Sequence, residues 1–198
     1  MKYTLLFCSI ILGMFMSGCQ TASLESYVNP GYNHASIKRV AILPISNSKL
    51  SAGNAAEVSS SFAKAVSRRN SSLVLISGSE SVARLNSVGK ADLWSEFLRN
   101  YSTGGIPNTT SIKEVAASLG VDAIIQGTII EIKQEDSNGY SYPMTRVVLR
   151  YTMFNAADGA ILWEVTGDGS IQPYSYKAVP IFEALKLAND KVLENLPL

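Results

Sequence analysis

Two short, unbroken apolar runs on either side of one helical stripe constrain this chain more than any other feature. Arg39-Val40-Ala41-Ile42-Leu43-Pro44-Ile45 and Leu73-Val74-Leu75-Ile76 lack the alternation of a half-exposed strand. Both are therefore expected as strands buried on two faces. Between them Asn54 can cap a helix running to about Arg69, with Ala55, Val58, Phe62 and Ala65/Val66 at helical spacing. A strand, a helix and a second strand in succession favour a parallel crossover, since a tight turn joins only antiparallel neighbours. Helices are then needed on the sheet to bury it.

The rest of the chain supplies them. Ser79 is a candidate cap for a helix with Val82 and Leu85 on one face. Residues 92–101 carry Leu93, Trp94, Phe97, Leu98 and Tyr101 in a helical pattern. Ser111 and Glu114 have capping-box spacing ahead of Ile112, Val115, Ala116 and Leu119, and Gly120 is a helix terminator. Three strands follow. Residues 121–133 are β-forming, with an apolar parity that changes between Ile125 and Ile130 and places a bulge or twist at Gly127. Asn138-Gly139 is a type I′ hairpin signal; residues 146–155 return, Asp158-Gly159 turns again, and residues 160–166 put Ile161, Trp163 and Val165 on one face. Gly167-Asp168-Gly169 reads as a turn or strand kink. Pro180 fits the first turn of a last helix with Phe182, Leu185, Ala188, Val192 and Leu196 inward. The expected fold is α/β (α+β): a mixed sheet of about five strands, order β-α-β-α-α-α-β-β-β-α, with the helices packed on it in one domain over residues 37–198.

Composition narrows the chemistry. A formal charge of +1 over 198 residues leaves no cationic excess for phosphates, so nucleic acid is not an expected partner. His34 is the sole histidine and lies outside the expected domain, poorly placed to serve a nucleophile or a metal. No Walker loop, dinucleotide fingerprint, HExxH or Cys/His cluster occurs, so no catalytic residue, metal or cofactor is assigned. Glu131 and Glu135 share strand parity, with Asp136 adjacent, which formally permits a glycosidase-like pair; Lys133 between them favours a solvated strand end. Ser77-Gly78-Ser79 could present helix-start amides to an anion but reads more simply as a cap.

The amino terminus has a separate logic. Lys2 is followed by an apolar stretch from Leu5 to Met16, too short for a membrane span, and then by Met16-Ser17-Gly18-Cys19. This resembles the lipobox of bacterial lipoproteins. The resemblance implies a signal peptide over residues 1–18, cleavage before Cys19, and acylation of its sulfur and amino group. Gln20, rather than Asp, then implies sorting to the outer membrane, on its periplasmic face, with surface display as the alternative. Cys8 leaves with the leader and Cys19 is consumed by lipid, so the mature chain keeps no free thiol. Residues 19–36 are expected as the lipidated cysteine and a flexible tether, whose stretch from Thr21 to Ala35 carries Ser, Asn, Pro and Gly without periodicity and reaches about 50 Å when extended at about 3.3 Å per residue.

Three segments carry a second resemblance: Arg39-Val40-Ala41-Ile42-Leu43-Pro44, Ala116-Ala117-Ser118-Leu119-Gly120-Val121-Asp122-Ala123-Ile124-Ile125-Gln126-Gly127 and Asp158-Gly159-Ala160-Ile161-Leu162-Trp163. They look like the α/β domain shared by the Tol–Pal periplasmic protein's amino-terminal domain, the curli-secretion lipoproteins and the outer-membrane lipoprotein activators of peptidoglycan synthases. The resemblance implies a protein-binding adaptor or assembly factor for an envelope complex, in peptidoglycan synthesis, secretion/transport or a Tol-like system. The long amphipathic insertions of the curli pore and the long Pro/Gln-rich tether of the synthase activators are both missing here. Four tyrosines are the candidate partner-binding residues: Tyr140 and Tyr142 at the expected hairpin tip, and Tyr174 and Tyr176 before the last helix. Tyrosine offers a large contact area and a polar tip at modest entropic cost. Two alternatives stay open: a lipid-anchored cell-wall or glycan hydrolase working through Glu131, Glu135 or Asp122, and a homo-oligomer formed through sheet edges or the last helix.

Overall fold

The computed structural model describes residues 19–45, 47 and 49–198; the leader expected over 1–18 lies outside the described residues. One mixed sheet organises them. Its strands are β1 (Cys19–Val28), β2 (Arg39–Leu43), β3 (Val74–Ile76), β4 (Ala123–Glu135), β5 (Met144–Asn155) and β6 (Ile161–Gln172). The helices are α1 (Ala52–Arg69), α2 (Gly78–Ser87), α3 (Ala91–Gly104), α4 (Thr109–Leu119) and α5 (Ile181–Glu194). Across the sheet the order is β1-β6-β5-β4-β2-β3. β2 runs parallel to both β3 and β4, while β4, β5, β6 and β1 form an antiparallel ladder. The α/β class and the order from β2 onward are as the periodicities imply; β1 is an added strand.

Crossover handedness decides which face each helix takes. The chain leaves β2 for β3 through α1, then steps back over β2 to β4 through α2, α3 and α4. Right-handed crossovers that reverse direction must put their helices on opposite faces. Accordingly, α1 and α5 pack on one face around Val40, Ile42, Ile125, Leu149, Met153 and Trp163. Helices α2–α4 pack on the other around Ala41, Leu43, Ile124 and Phe154. Both neighbours of each apolar residue in β2 are thus covered, which is why the run shows no alternation.

Local signals account for most element ends. Ser51 caps α1 by accepting from the Asn54 amide, and Ser77 caps α2 by accepting from that of Glu80, each a few residues ahead of the expected start. Asn108 rather than Ser111 caps α4. Gly120 ends it in the left-handed region at φ 64, as expected.

β3, expected to be buried on two faces, is an edge strand with Val74 57% exposed, and four further readings change. Residues 19–28, expected within a flexible tether, pair with β6 as an edge strand. Beyond it, Asn33 caps a short 3-10 turn at His34–Ser36 that exposes His34. The bulge in β4 falls at Ile130, where the register slips between Ile129 and Glu131, and not at Gly127. Gly127 instead makes room: a Cβ there would lie 2.6 Å from Ile45 Cγ1 and 2.8 Å from Tyr151 Cε1. Asn138-Gly139 does not form a two-residue hairpin. It sits in the 136–143 connection, where Gly139 has φ 86 but no non-glycine residue among those described has positive φ, as a type I′ turn would need.

Gly167 and Gly169 are the fourth change. They lie inside β6, neither at a turn nor at a kink, and face α5. A Cβ on Gly167 would collide with the Ala188 carbonyl, and one on Gly169 with the Ala184 carbonyl. Ala184 and Ala188 are fully buried. Four small residues therefore bring the helix backbone down onto the strand. Next to this contact the Tyr151 hydroxyl donates to Asn189 Oδ1 at 3.1 Å, and its ring stacks on Phe62 with centroids 3.7 Å apart. Burial pushes that hydroxyl well above its ordinary pKa, so it remains a neutral donor.

Gly169→Ala is expected to lose about 3 kcal/mol of stability, because α5 must lift from the sheet. Gly139→Ala, in open space at positive φ, should lose only about 1 kcal/mol. Denaturant unfolding followed by tryptophan fluorescence checks the difference; equal losses would show that the close approach is not what holds α5.

Candidate interaction surfaces

Three helices cannot cover the whole second face. Helices α2–α4 roof β2, β3, the start of β4 and the end of β5. The ladder formed by the rest of β4, β5, β6 and β1 is left open on that side. Alternation then dictates which side chains it shows: Arg146, Val148 and Arg150 from β5, and Glu164, Thr166, Asp168 and Ser170 from β6, all half-exposed. Ser23, Glu25 and Tyr27 extend the surface along β1, opposite Asp168, Thr166 and Glu164. The bulge at Ile130 brings Glu131 and Lys133 onto the same side by shifting the parity of β4.

The charges on this face are tied together diagonally across the strands. Arg146 stands opposite Ser170 but reaches Asp168, with Nη2 to Oδ2 at 2.7 Å and Nε to Oδ1 at 3.1 Å. Its Nη1 donates to Glu131 on the other side at 3.0 Å. Hydrogen bonding to Asp168 is the leading cause that raises the guanidinium pKa above its ordinary value. Arg150 Nε lies 3.4 Å from Glu164 Oε1. Glu164 Oε2 accepts from Thr152 Oγ1 at 3.0 Å and from the Tyr101 hydroxyl at 3.2 Å. Tyr101, on α3, marks where the helical roof ends. These diagonal contacts are the sheet counterpart of spaced pairs on a helix, and they fix long side chains in place.

None of Arg146, Arg150, Glu164 and Asp168 is singled out by motif. The signal for them is partial alternation: Glu164, Thr166 and Asp168 interleave with Trp163, Val165 and Gly167, and Arg146 and Arg150 share the parity of Val148 opposite Val147 and Leu149.

The candidate acidic residues do not converge. Asp122 Oδ2 accepts from the Lys38 and Arg39 amides, both at 2.9 Å, and so pins the start of β2 to β4. It borders a cleft of about 410 Å³ that neither Glu131 nor Glu135 lines. Glu131 is held by Arg146, Glu135 pairs with Lys133 at 3.3 Å, and Asp136 Oδ1 accepts from the Ala178 amide at 2.8 Å. At Ser77-Gly78-Ser79 the Ser77 hydroxyl is spent on the Glu80 amide, the arrangement of a plain cap. No group of three His, Cys, Asp or Glu side chains among the described residues could hold a metal.

The four tyrosines, by contrast, come together. Loops 136–143 and 173–180 join where Ser137 N–H donates to Tyr176 O at 3.0 Å. Tyr140, Tyr142, Tyr174 and Tyr176 line one shallow groove of about 460 Å³ and are 71% to 100% exposed. Cys19 lies at the same end of the sheet, its backbone paired with Gln172. No helix among the described residues is long and apolar enough to cross a membrane.

No family model matches the chain, and no curated protein matches it by sequence. Among solved structures, a PelC dodecamer from Paraburkholderia phytofirmans is 13% identical over 88% of this chain and 94% of that one, with a TM-score of 0.46. The hypothetical protein CT253 from Chlamydia trachomatis is 15% identical over 80% and 94%, at 0.47. The LpoB C-terminal domain from Salmonella enterica is 14% identical over 68% and 82%, at 0.39. At these identities and superpositions the likeness carries no functional information.

Arg146→Ala leaves Glu131 and Asp168 on one patch without the cation between them. The expected loss is about 1 kcal/mol in low salt, shrinking as salt screens the exposed carboxylates. Arg146→Lys should recover only part of it, since a point charge cannot bridge both partners with a planar fork. Urea unfolding at low and high ionic strength checks this; a salt-independent loss would assign Arg146 to packing.

Proposed function

We propose that this is an outer-membrane lipoprotein, acylated at Cys19, whose domain acts from the periplasmic face as a protein-binding adaptor or assembly factor for an envelope complex. The complex belongs to peptidoglycan synthesis, secretion/transport or a Tol-like system. The observation that carries the reading is the open face of the β4-β5-β6-β1 ladder. Arg146, Glu131, Asp168 and Glu164 are already held by hydrogen bonds, so a partner docking there would freeze few new rotamers at those positions. Its diagonal pattern of charge gives register and selectivity more than raw affinity. The lipid supplies location: a buried methylene contributes about 0.8 kcal/mol, so two or more acyl chains hold the domain essentially permanently. The separate engagements of Asp122, Glu131 and Glu135 speak against the hydrolase alternative, which needs a carboxylate pair about one sugar linkage apart.

Cys19→Ala is expected to abolish incorporation of a fatty-acid analogue and to move the protein out of the membrane fraction; equal labelling of both forms would defeat the anchor. For the docking face, a photocrosslinking side chain at Thr166 should trap one discrete envelope protein in cells. The same side chain at Glu57, exposed on α1, should not. Arg150→Glu should suppress the Thr166 adduct. An adduct of twice the chain's own mass would instead make the partner a second copy, and no adduct at all would remove the adaptor reading.

A further inference from the structure

The register of β1 determines what lies beside the lipid. Cys19 is the first residue of that strand and pairs with Gln172, the last residue of β6. Tyr174 follows two residues later, so its backbone lies within about 12 Å of that of Cys19. Thr145, at the start of β5, pairs with Ile171, which brings loop 136–143 to the same end. No spacer separates the acylation site from the folded sheet. A chain fastened to a leaflet at Cys19 must therefore present this end of the sheet to the lipid.

The residues at this end are suited to that contact. Tyr140 is 100% exposed and Tyr176 is 85% exposed. In water such rings waste apolar area; at a membrane–water boundary, amphipathic aromatic rings are favoured at headgroup level. The groove they line is closed by Pro143 and serine hydroxyls, and no charged side chain lines it. The two carboxylates just behind it are engaged: Asp136 with the Ala178 amide and Glu135 with Lys133. Lys177, exposed within loop 173–180, adds a cation that can lie along an acidic headgroup layer. The tip is also preformed. Asn138 Oδ1 accepts from the Tyr140 and Ser141 amides at 3.0 Å each, and Ser137 is bonded to Tyr176 across the loops.

We infer that Tyr140, Tyr142, Tyr174 and Tyr176 form a membrane-resting rim, so that the domain stands directly on the leaflet with its strands upright. This rests on the lipid anchor proposed above. It reassigns the tyrosines from a protein partner to the lipid surface, and it replaces the tether that would have held the domain tens of ångströms away.

The acylated mature chain has no free thiol, which provides a selective test. Tyr140→Cys and Ala157→Cys, each in the full chain, carry a single nitroxide; Ala157 is exposed in the turn at the opposite end of the sheet. Both are reconstituted in phosphatidylethanolamine–phosphatidylglycerol vesicles and probed with oxygen, which partitions into lipid, and with a water-soluble nickel chelate. The expected result is an oxygen-to-nickel accessibility ratio several-fold higher at position 140 than at 157. Equal ratios at the two sites would overturn the inference and leave the rim in water. Low accessibility to both reagents at 140 would also overturn it, because that marks a protein contact. The unsubstituted chain is the control for the anchor: if it takes up the label, Cys19 carries no lipid, and the anchor fails separately from the rim.

Discussion

The close approach of α5 to β6 sets the terms for the rest of the molecule. Gly167 and Gly169 on the strand, and Ala184 and Ala188 on the helix, let two backbones meet with almost no side chain between them. That contact commits α5 to one face of the antiparallel ladder and buries Tyr151, Leu149 and Val165 beneath it. Among the described residues the only other long helices are α1 on the same face and α2–α4 on the opposite one. Helices α2–α4 are bound by crossover handedness to the parallel half of the other face. An open antiparallel face follows directly, and alternation fills it with the charged residues that the covered face excludes.

What could be read from the sequence, and what could not, follows from how much each segment buries. β2, α1 and the Gly120 stop are strongly determined locally, by two-faced burial, a helical stripe and a left-handed cap respectively. β1 is not. An edge strand takes hydrogen bonds from one neighbour only, and among 23–28 Leu24 alone packs on the core. Its sequence has little reason to differ from that of a linker. The bulge departs from its expected place because two signals compete. Gly127 is a glycine because Ile45 and Tyr151 press against it, whereas the register slips three residues later at Ile130, which has no distinguishing chemistry. Gly167 and Gly169 carry a packing requirement set by a helix that follows well beyond the strand's own end, which no local pattern discloses.

The tyrosines show the limit most clearly. Both pairs are visible in the chain as exposed aromatic residues near turns. Their convergence is a property of the β5–β6 register, which aligns Thr145 with Ile171, and of the hydrogen bonds that backbone amides donate between the two loops. Their nearness to Cys19 depends in turn on β1, the strand that composition conceals. A surface suited to capturing a protein and a surface suited to lying on lipid have the same residue content; only the position of the proposed anchor separates them.

That separation changes how the open face would work. With the rim on the leaflet, strands of ten to thirteen residues rise about 30–40 Å from the membrane. The open face is then vertical, and a partner reaches it sideways, within the layer just above the lipid. A soluble partner would gain little from this. A partner itself fixed to the same membrane gains a great deal, because confinement to a shared layer raises the effective concentration without any new contact. A rigid footing also fixes the height at which Arg146, Arg150 and Glu164 are displayed, and a flexible tether would average that height away. The proposed orientation would therefore favour a client whose complementary surface lies at a set distance from the leaflet, and would make that distance part of the recognition.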